Sequence, residues 1–413
     1  MPRPQSYAPP GAKFSLGLFQ FDTWLSIVLL AGVMFLPAGL CYLFTGTSHS
    51  AGTTAAGVLI ILALAWRAPA IDAFLPLFVI VVLLSIHLAF AIMLTSDQSN
   101  RAMLSLGLFS LVFFSSYTLG KWFFLRPSLI VDQATTFLRL TMIVIAVASI
   151  AGLQPPGINP WEKPVFPFTE PSHYALIFTP LLLDASIKSN NWRRYAWIML
   201  GFVLAYFLKN LSLAVGVTMV ALVTLPLLQL ILAALVAPMV LLSVNLTYFT
   251  DRLDFGDGIT NLSTLVYIQG WELVADSMHR SAGWGIGFQQ LGYGPIRSTA
   301  SKIIFQLTQL DLNLQDGGFV AAKLISELGV FGMALTIGFV VIAIKAALIL
   351  RGVGHGLIRP LSGRDYALCI IVGYSIDMFV RGVAYFTASS MLFLAALIYY
   401  VKFKKAHEAI AFQ

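Results

Sequence analysis

Long apolar runs set off by short polar breaks make up almost the whole chain. In order they are 24–44, 55–66, 71–94, 102–119, 129–153, 171–187, 194–208, 211–228, 230–249, 317–350, 366–385 and 387–401. None alternates with the period of two that a barrel strand needs. Runs near 20 apolar residues match about 30 Å of hydrocarbon at 1.5 Å of helix per residue. Across a bilayer the backbone polar groups are satisfied only in helices or closed barrels. The pattern therefore predicts an all-α polytopic membrane protein of about twelve transmembrane helices, a single integral domain over 1–413. The Thr/Gly/Ser stretch 45–54 and the proline-rich stretch 154–167 read as connections, because proline fixes φ and stops a helix.

One segment breaks the pattern. Residues 251–316, between spans nine and ten, are too polar to cross. They hold Asp251, Arg252, Asp254, Asp257, Glu272, Asp276, His279, Arg280, Arg297, Lys302, Asp311 and Asp316. Leu262, Leu265, Val266, Leu273 and Val274 recur at roughly helical spacing. They predict an amphipathic helix over 261–278 lying on the membrane face. Ser298–Leu310 predicts a second short helix. Gly283-Trp284-Gly285-Ile286-Gly287 reads as a tight, flexible bend. No strand precedes it, so it is not a dinucleotide fingerprint.

Composition narrows the class further. The chain is 58% hydrophobic and only 10% charged, against about 25% charged in soluble domains. The net charge of +7 comes largely from Arg67, Lys121, Arg126, Lys188, Arg193, Arg194, Arg351 and Lys402–Lys405. All of these fall on the side of the termini. Basic loops stay in the cytoplasm, so both termini are expected there and nucleic-acid binding is not. The large loop, the proline-rich loop and the Leu208–Leu211 turn then face out. Cys41 and Cys369 sit in apolar runs and form neither a metal cluster nor a disulfide framework. The N-terminal stretch lacks the short apolar core and cleavage site of a removable signal peptide. There is no His-Glu-x-x-His, no Gly-x-Ser-x-Gly elbow and no phosphate loop, so no metal or cofactor is expected.

Charges inside apolar runs cost several kcal/mol unless partnered or used. Asp377 and Arg381, four apart, are expected on one face of the eleventh span, either as an internal ion pair or with Asp377 orienting an Arg381 that points into an outward cavity. Lys323 and Glu327 have the same spacing and read as an internal ion pair. Arg139, two turns inside the fifth span, reads as snorkelling to the cytoplasm. On the outer side, Glu170-Pro171-Ser172-His173 opens the sixth span. Proline suits the first helical position, and a carboxylate there is favoured by the helix dipole. Glu170 and His173, three apart, are placed to meet on one face. Lys209-Asn210-Leu211-Ser212 turns into a helix whose first N–H groups suit an anion. Arg252, Arg280 and Arg297 offer guanidinium forks to phosphate oxygens, although Asp276 one turn before Arg280 also fits a plain helix pair. Outward cations, a Glu–His pair and Asp316 at the membrane re-entry suit a diphosphate leaving group plus one general base.

Five motifs, in this order and topology, resemble the O-antigen polymerase/O-antigen ligase superfamily, and specifically its Wzy-type polymerases. They are Glu170-Pro171-Ser172-His173-Tyr174-Ala175, Lys209-Asn210-Leu211-Ser212, Gly283–Gly287, Asp316-Gly317-Gly318 leading to Glu327–Gly332, and Arg381-Gly382-Val383-Ala384-Tyr385-Phe386. The resemblance covers roughly Trp161 to the C-terminus. It implies a GT-C-like fold and metal-independent, inverting glycosyl transfer at the periplasmic face of a bacterial inner membrane. Donor and acceptor would be glycans on undecaprenyl diphosphate, with membrane lipid and a chain-length regulator as further partners. It implies Asp316, His173 or Glu170 as the base. For the diphosphate it implies Arg280, Arg381, Arg252, Lys209, Ser212 and Tyr385. Family ligases carry a histidine near the re-entry into span ten. Asp316-Gly317-Gly318 stands there in this chain, which points to a polymerase. The rivals are a ligase acting on lipid A-core or protein, and a polysaccharide transporter or flippase.

Overall fold

A computed structural model describes residues 16–44, 48–95, 100–153, 165–242, 247–253, 259–292, 296–309, 314, 317–354, 363–382 and 385–403. Apart from one bridge between Val165 and Phe168, these residues form helices and their connections. The helices are α1 (Leu16–Leu43), α2 (His49–Leu64), α3 (Phe74–Thr95), α4 (Arg101–Phe123), α5 (Ser128–Ile150), α6 (Pro171–Lys188), α7 (Asn191–Phe207) and α8 (Leu211–Thr224). They continue as α9 (Leu227–Leu242), α10 (Thr247–Thr250), α11 (Leu262–Arg280), α12 (Thr299–Thr308), α13 (Val320–Gly354), α14 (Gly363–Gly373), α15 (Ser375–Phe379) and α16 (Ala388–Ile398).

Gln20–Leu43, Ile71–Thr95, Arg101–Phe123, Ser128–Ile150 and Val320–Val353 are long and apolar enough to cross a membrane. The chain is thus all-helical over the described residues, with five helices of that kind. The other apolar runs form shorter helices. α8, with 14 residues, rises about 21 Å, less than the hydrocarbon thickness. The run 366–385 splits into α14 and α15 and stops at Phe379.

α2 starts at His49, so it absorbs most of the stretch expected to be a connection. The reason is close packing. A Cβ on Gly52 would overlap the backbone of Leu36 and Pro37 in α1. Small residues allow this approach between helices where no water drives association. α6 is the central post: every residue from His173 to Ile187 is buried, and it packs on α5, α7, α8 and α14.

The two ends of the bundle differ in charge. At one end Asp22 takes Arg67 at 3.1 Å and Arg126 at 2.9 Å. Asp72 takes Lys402 at 2.8 Å, Lys121 at 3.5 Å and the Tyr117 hydroxyl. Lys188 lies 2.8 Å from Asp184 and 3.0 Å from Asp132. The start of α1 and the last described turn, Tyr399–Phe403, therefore share this end. Arg139 does not snorkel: it is buried, 3.5 Å from Asp184, donates to Thr136 and lies over Trp197. The opposite end begins where α2 and α6 begin, at His49 and Glu170. From Glu170 to Lys188 is about 27 Å of helix.

The described residues 259–292 and 296–309 carry two helices, α11 and α12, and their boundaries follow local chemistry. The Asn261 side chain caps α11 by accepting from Ser263 N. Ser298 caps α12 by accepting from Ser301 N, and Glu272 accepts from Ser298 Oγ at 2.6 Å and Ala300 N at 3.0 Å. Residues 254–258, 293–295, 310–313, 315 and 316, which include Asp254, Asp257, Asp311 and Asp316, lie outside the described residues.

α13 is kinked at Gly329, where φ is 59° and ψ is −132°. The Gly283–Gly287 bend docks on this kink. Ile286 N donates to Ser326 O, Gly287 N to Glu327 O, and Val330 N to Gly283 O. Trp284 then clasps α3. Its indole N–H donates to His87 O at 3.1 Å, its carbonyl meets His87 Nε2 at 2.9 Å, and the two rings stack. The bend is a built anchor rather than a flexible turn. Glu327 is likewise not simply the partner of Lys323: its carboxylate accepts from Gln289 N at 2.9 Å and Leu291 N at 3.4 Å.

Candidate functional site

Three separated stretches meet at the α6 entrance. Glu170 is the N-cap residue of α6 in extended conformation, with Pro171 directly after it. The Lys209–Asn210 turn is tied to this entrance, because Asn210 Nδ2 donates to Pro171 O. Arg381 comes from the far end of the sequence. It lies beyond the end of α15, its N–H bonded to Ile376 O, and the next residue, Gly382, donates to Gly318 O at 3.0 Å. The chain re-entering at Gly317–Gly318 and the chain leaving α15 are thus joined beside the site.

The electrostatic centre is the Glu170–Arg381 pair. Arg381 Nη2 lies 3.2 Å from Glu170 Oε2, with the side chains 24% and 41% exposed, so solvent reaches both. Ser172 Oγ donates to the same carboxylate oxygen at 2.9 Å. The Arg381 guanidinium, with help from Ser172 and against partial burial, holds the Glu170 carboxyl at about 2, below its ordinary 4.5. Asp377 does not orient Arg381. The helix ends between them, and Asp377 accepts instead from Ser389 Oγ at 2.7 Å.

Arg252 is the second cation of the group. Its guanidinium lies 4.4 Å over the Tyr248 ring, and its carbonyl accepts from Thr264 Oγ1. Burial lowers the Arg252 pKa and the nearby charge of Arg381 lowers it further, opposed by Tyr248 and Glu170. Both Arg381 and Glu170 are therefore its electrostatic neighbours. Lys209 stands exposed on the rim in a left-handed turn with φ 48°.

His173 sits one turn inside, buried, with Nδ1 2.9 Å from Thr169 Oγ1. Its side chain bonds Thr169 while the Glu170 carboxylate bonds Arg381 and Ser172, yet the two residues remain electrostatic neighbours and His173 N donates to Glu170 O at 3.1 Å. Its ring meets His49 edge to face at 4.9 Å. The two imidazoles, with Thr387 and Ser389, line a pocket of about 20 Å³, room for roughly one water. His49 was missed in the sequence because it stood in a stretch read as a loop. The available signal was the Ser48-His49 start followed by Ala, Gly and Thr, residues suited to a closely packed helix.

Other residues predicted for the site lie elsewhere or have other work. Arg280 pairs with Asp276 at 3.0 Å, as the one-turn spacing allowed. About 24 Å of α11 separates it from Thr264, which holds Arg252, so it does not join the group. Arg297 is exposed next to the α12 cap. Tyr385 stacks on Phe288 at 5.8 Å, with Lys323 5.6 Å over its ring, and its hydroxyl serves the Glu327 carboxylate. Ser212 is buried in the first turn of α8. The α8 N-terminus is less open to an anion than expected, because Asn210 Oδ1 accepts from Leu213 N. Asp316 is outside the described residues, although Gly318, two residues on, touches Gly382. Among the described residues no group of three or more His, Cys, Asp or Glu is placed to hold a metal ion.

Comparison with family models, with curated proteins and with solved structures gives no match for this chain.

Proposed function

We propose that the chain is a polysaccharide polymerase joining undecaprenyl-diphosphate-linked repeat units by inverting glycosyl transfer. The proposal includes a span count of about twelve, a GT-C-like fold and a bacterial inner membrane with both termini in the cytoplasm. One observation carries it. Glu170, Arg381 and Arg252, distant in sequence, gather at the α6 entrance, at the end of the bundle opposite the dense Lys/Arg cluster. Under the positive-inside rule that entrance faces out.

In this reading an acceptor hydroxyl oxygen attacks the anomeric carbon of the donor sugar. The C–O bond to the diphosphate breaks, and its electron pair stays on the leaving oxygen. Arg381 and Arg252 neutralise that charge, with Lys209 at the rim. The hydroxyl proton passes to a carboxylate or imidazole at the entrance. Glu170 and His173 are the described candidates, and Asp316 is the third.

A deletion strain complemented with Arg381→Ala tests the reading. The expected gel of surface polysaccharide shows single capped repeats in place of a ladder, at unchanged protein level. A wild-type ladder in the uncomplemented deletion strain rejects the polymerase, a wild-type ladder with Arg381→Ala rejects the role given to that guanidinium, and loss of all capped acceptor replaces the polymerase with the ligase.

A further inference from the structure

Arg381 is held by its own chain in a way that invites exchange. The contact to Glu170 is a single N–O pair at 3.2 Å. A fully made charge-assisted bond is about 2.7–2.9 Å, and a carboxylate usually takes a guanidinium through two parallel bonds. The one oxygen used is shared with Ser172 Oγ. The backbone under Glu170 is fixed by Pro171, by the Asn210 bond to Pro171 O and by the Thr169–His173 contact. The side chain is part exposed, so moving it off Arg381 needs only a rotamer change. Charge among the described residues also favours an incoming anion: Arg381 pairs with Glu170, Arg252 is an electrostatic neighbour of both, and Lys209 stands on the rim.

We infer that Glu170 and a substrate diphosphate compete for the Arg381 guanidinium, so that phosphate binding frees the Glu170 carboxylate. This rests on the proposed function for the identity of the diphosphate, and it gives Glu170 two successive roles at one site. While paired, it is a poor proton acceptor, because the guanidinium stabilises its charged form. When a phosphate takes the fork, which matches phosphate oxygens as well as it matches a carboxylate, Glu170 turns towards the acceptor. It then regains basicity and takes the hydroxyl proton as the C–O bond forms. The base is thereby armed only in the presence of donor, which limits side reaction with water.

The test is the sign of an affinity change. Inorganic pyrophosphate is titrated calorimetrically, at fixed low ionic strength, into the full chain held in phosphatidylcholine nanodiscs. Removing an exposed competing ion pair is expected to tighten binding about two- to fivefold in Glu170→Gln. Glu170→Ala should move the same way, and Arg381→Ala should weaken binding. Each variant is scored only if it elutes as a single species, so either Glu170 variant alone suffices. If Glu170 merely held Arg381 in place, its loss would weaken binding. Equal or weaker binding in the Glu170 variants overturns the inference, as does pyrophosphate binding absent from wild type and variants alike. The polymerase reading fails by a different result, an unchanged polysaccharide ladder in the deletion strain, which this titration does not touch.

Discussion

Replacing Gly329 with alanine should release the Gly283–Gly287 bend from the membrane helices. At φ 59° and ψ −132° the residue lies where only glycine is at ease. An L-residue forced there costs about 1–3 kcal/mol. The added Cβ would also overlap the carbonyls of Gly283 and Trp284, so the bend must lift. Lifting breaks the bonds Ile286 N to Ser326 O, Gly287 N to Glu327 O and Val330 N to Gly283 O. At about 0.5–1.5 kcal/mol net for each, these contribute roughly 1.5–4.5 kcal/mol. Even the lower bond figure, about 1.5 kcal/mol, predicts amide exchange in 283–291 faster by about one order of magnitude once the bend lifts. Hydrogen exchange with mass spectrometry reads this directly. Gly338→Ala on the same helix is the control, because a Cβ there meets nothing within 4 Å. Wild-type protection of 283–291 in Gly329→Ala would refute the argument that the kink exists to receive the bend.

Three further outcomes are expected. Arg139→Ala should cost about 1.5–3 kcal/mol, because Asp184, whose side chain is 3% exposed, loses one of its two cations and keeps Lys188 at 2.8 Å; thermal unfolding in nanodiscs checks this, and a midpoint like that of wild type would contradict it. Arg252→Ala should slow chain extension by about 10²-fold through lost stabilisation of the leaving charge, whereas Arg280→Ala, outside the group, should stay within about threefold of wild type; equal losses in the two variants would show that Arg280 belongs to the site. The pH dependence follows from Glu170, whose carboxyl is lowered to about 2 from 4.5. A lowered carboxyl pKa gives stabilisation that is complete above 4.5 and lost as pH falls towards 2, so the wild-type advantage over Glu170→Gln in melting midpoint should be flat above pH 5 and shrink between 4.5 and 2. A gap unchanged down to pH 2 would remove the ion pair as its source.

Helix positions were legible because burial in a bilayer writes them as apolar runs. α5 at Ser128–Ile150 and α13 at Val320–Gly354 sit close to the runs 129–153 and 317–350. The capped loop helices α11 and α12 were legible for a different reason, Asn261 and Ser298 standing directly before periodic apolar positions. What failed were inferences that treated spacing as contact. Asp377 and Arg381 have one-turn spacing, but the helix stops at Phe379, so Arg381 is free to reach a residue more than two hundred positions earlier. Arg139 read as snorkelling because Asp184, on another helix, is invisible to periodicity. The entrance cluster was legible only as ingredients. Glu170, His173, Lys209, Arg252 and Arg381 each stood out as charge near an outer boundary. Which of them share a site depends on how α6, α8 and α15 are arranged, and that is set by long-range packing. His49 escaped because small residues serve equally in loops and in tightly packed helices.

The most direct measurement is chain extension by the purified protein in nanodiscs, supplied with undecaprenyl-diphosphate-linked repeat units and read as a ladder on a gel. Wild type should build the ladder without added metal, and Arg381→Ala should leave the single unit unextended while binding the lipid nanodisc and folding as wild type does. A ladder of normal length from Arg381→Ala would contradict the claim that the guanidinium at the α6 entrance carries the leaving diphosphate.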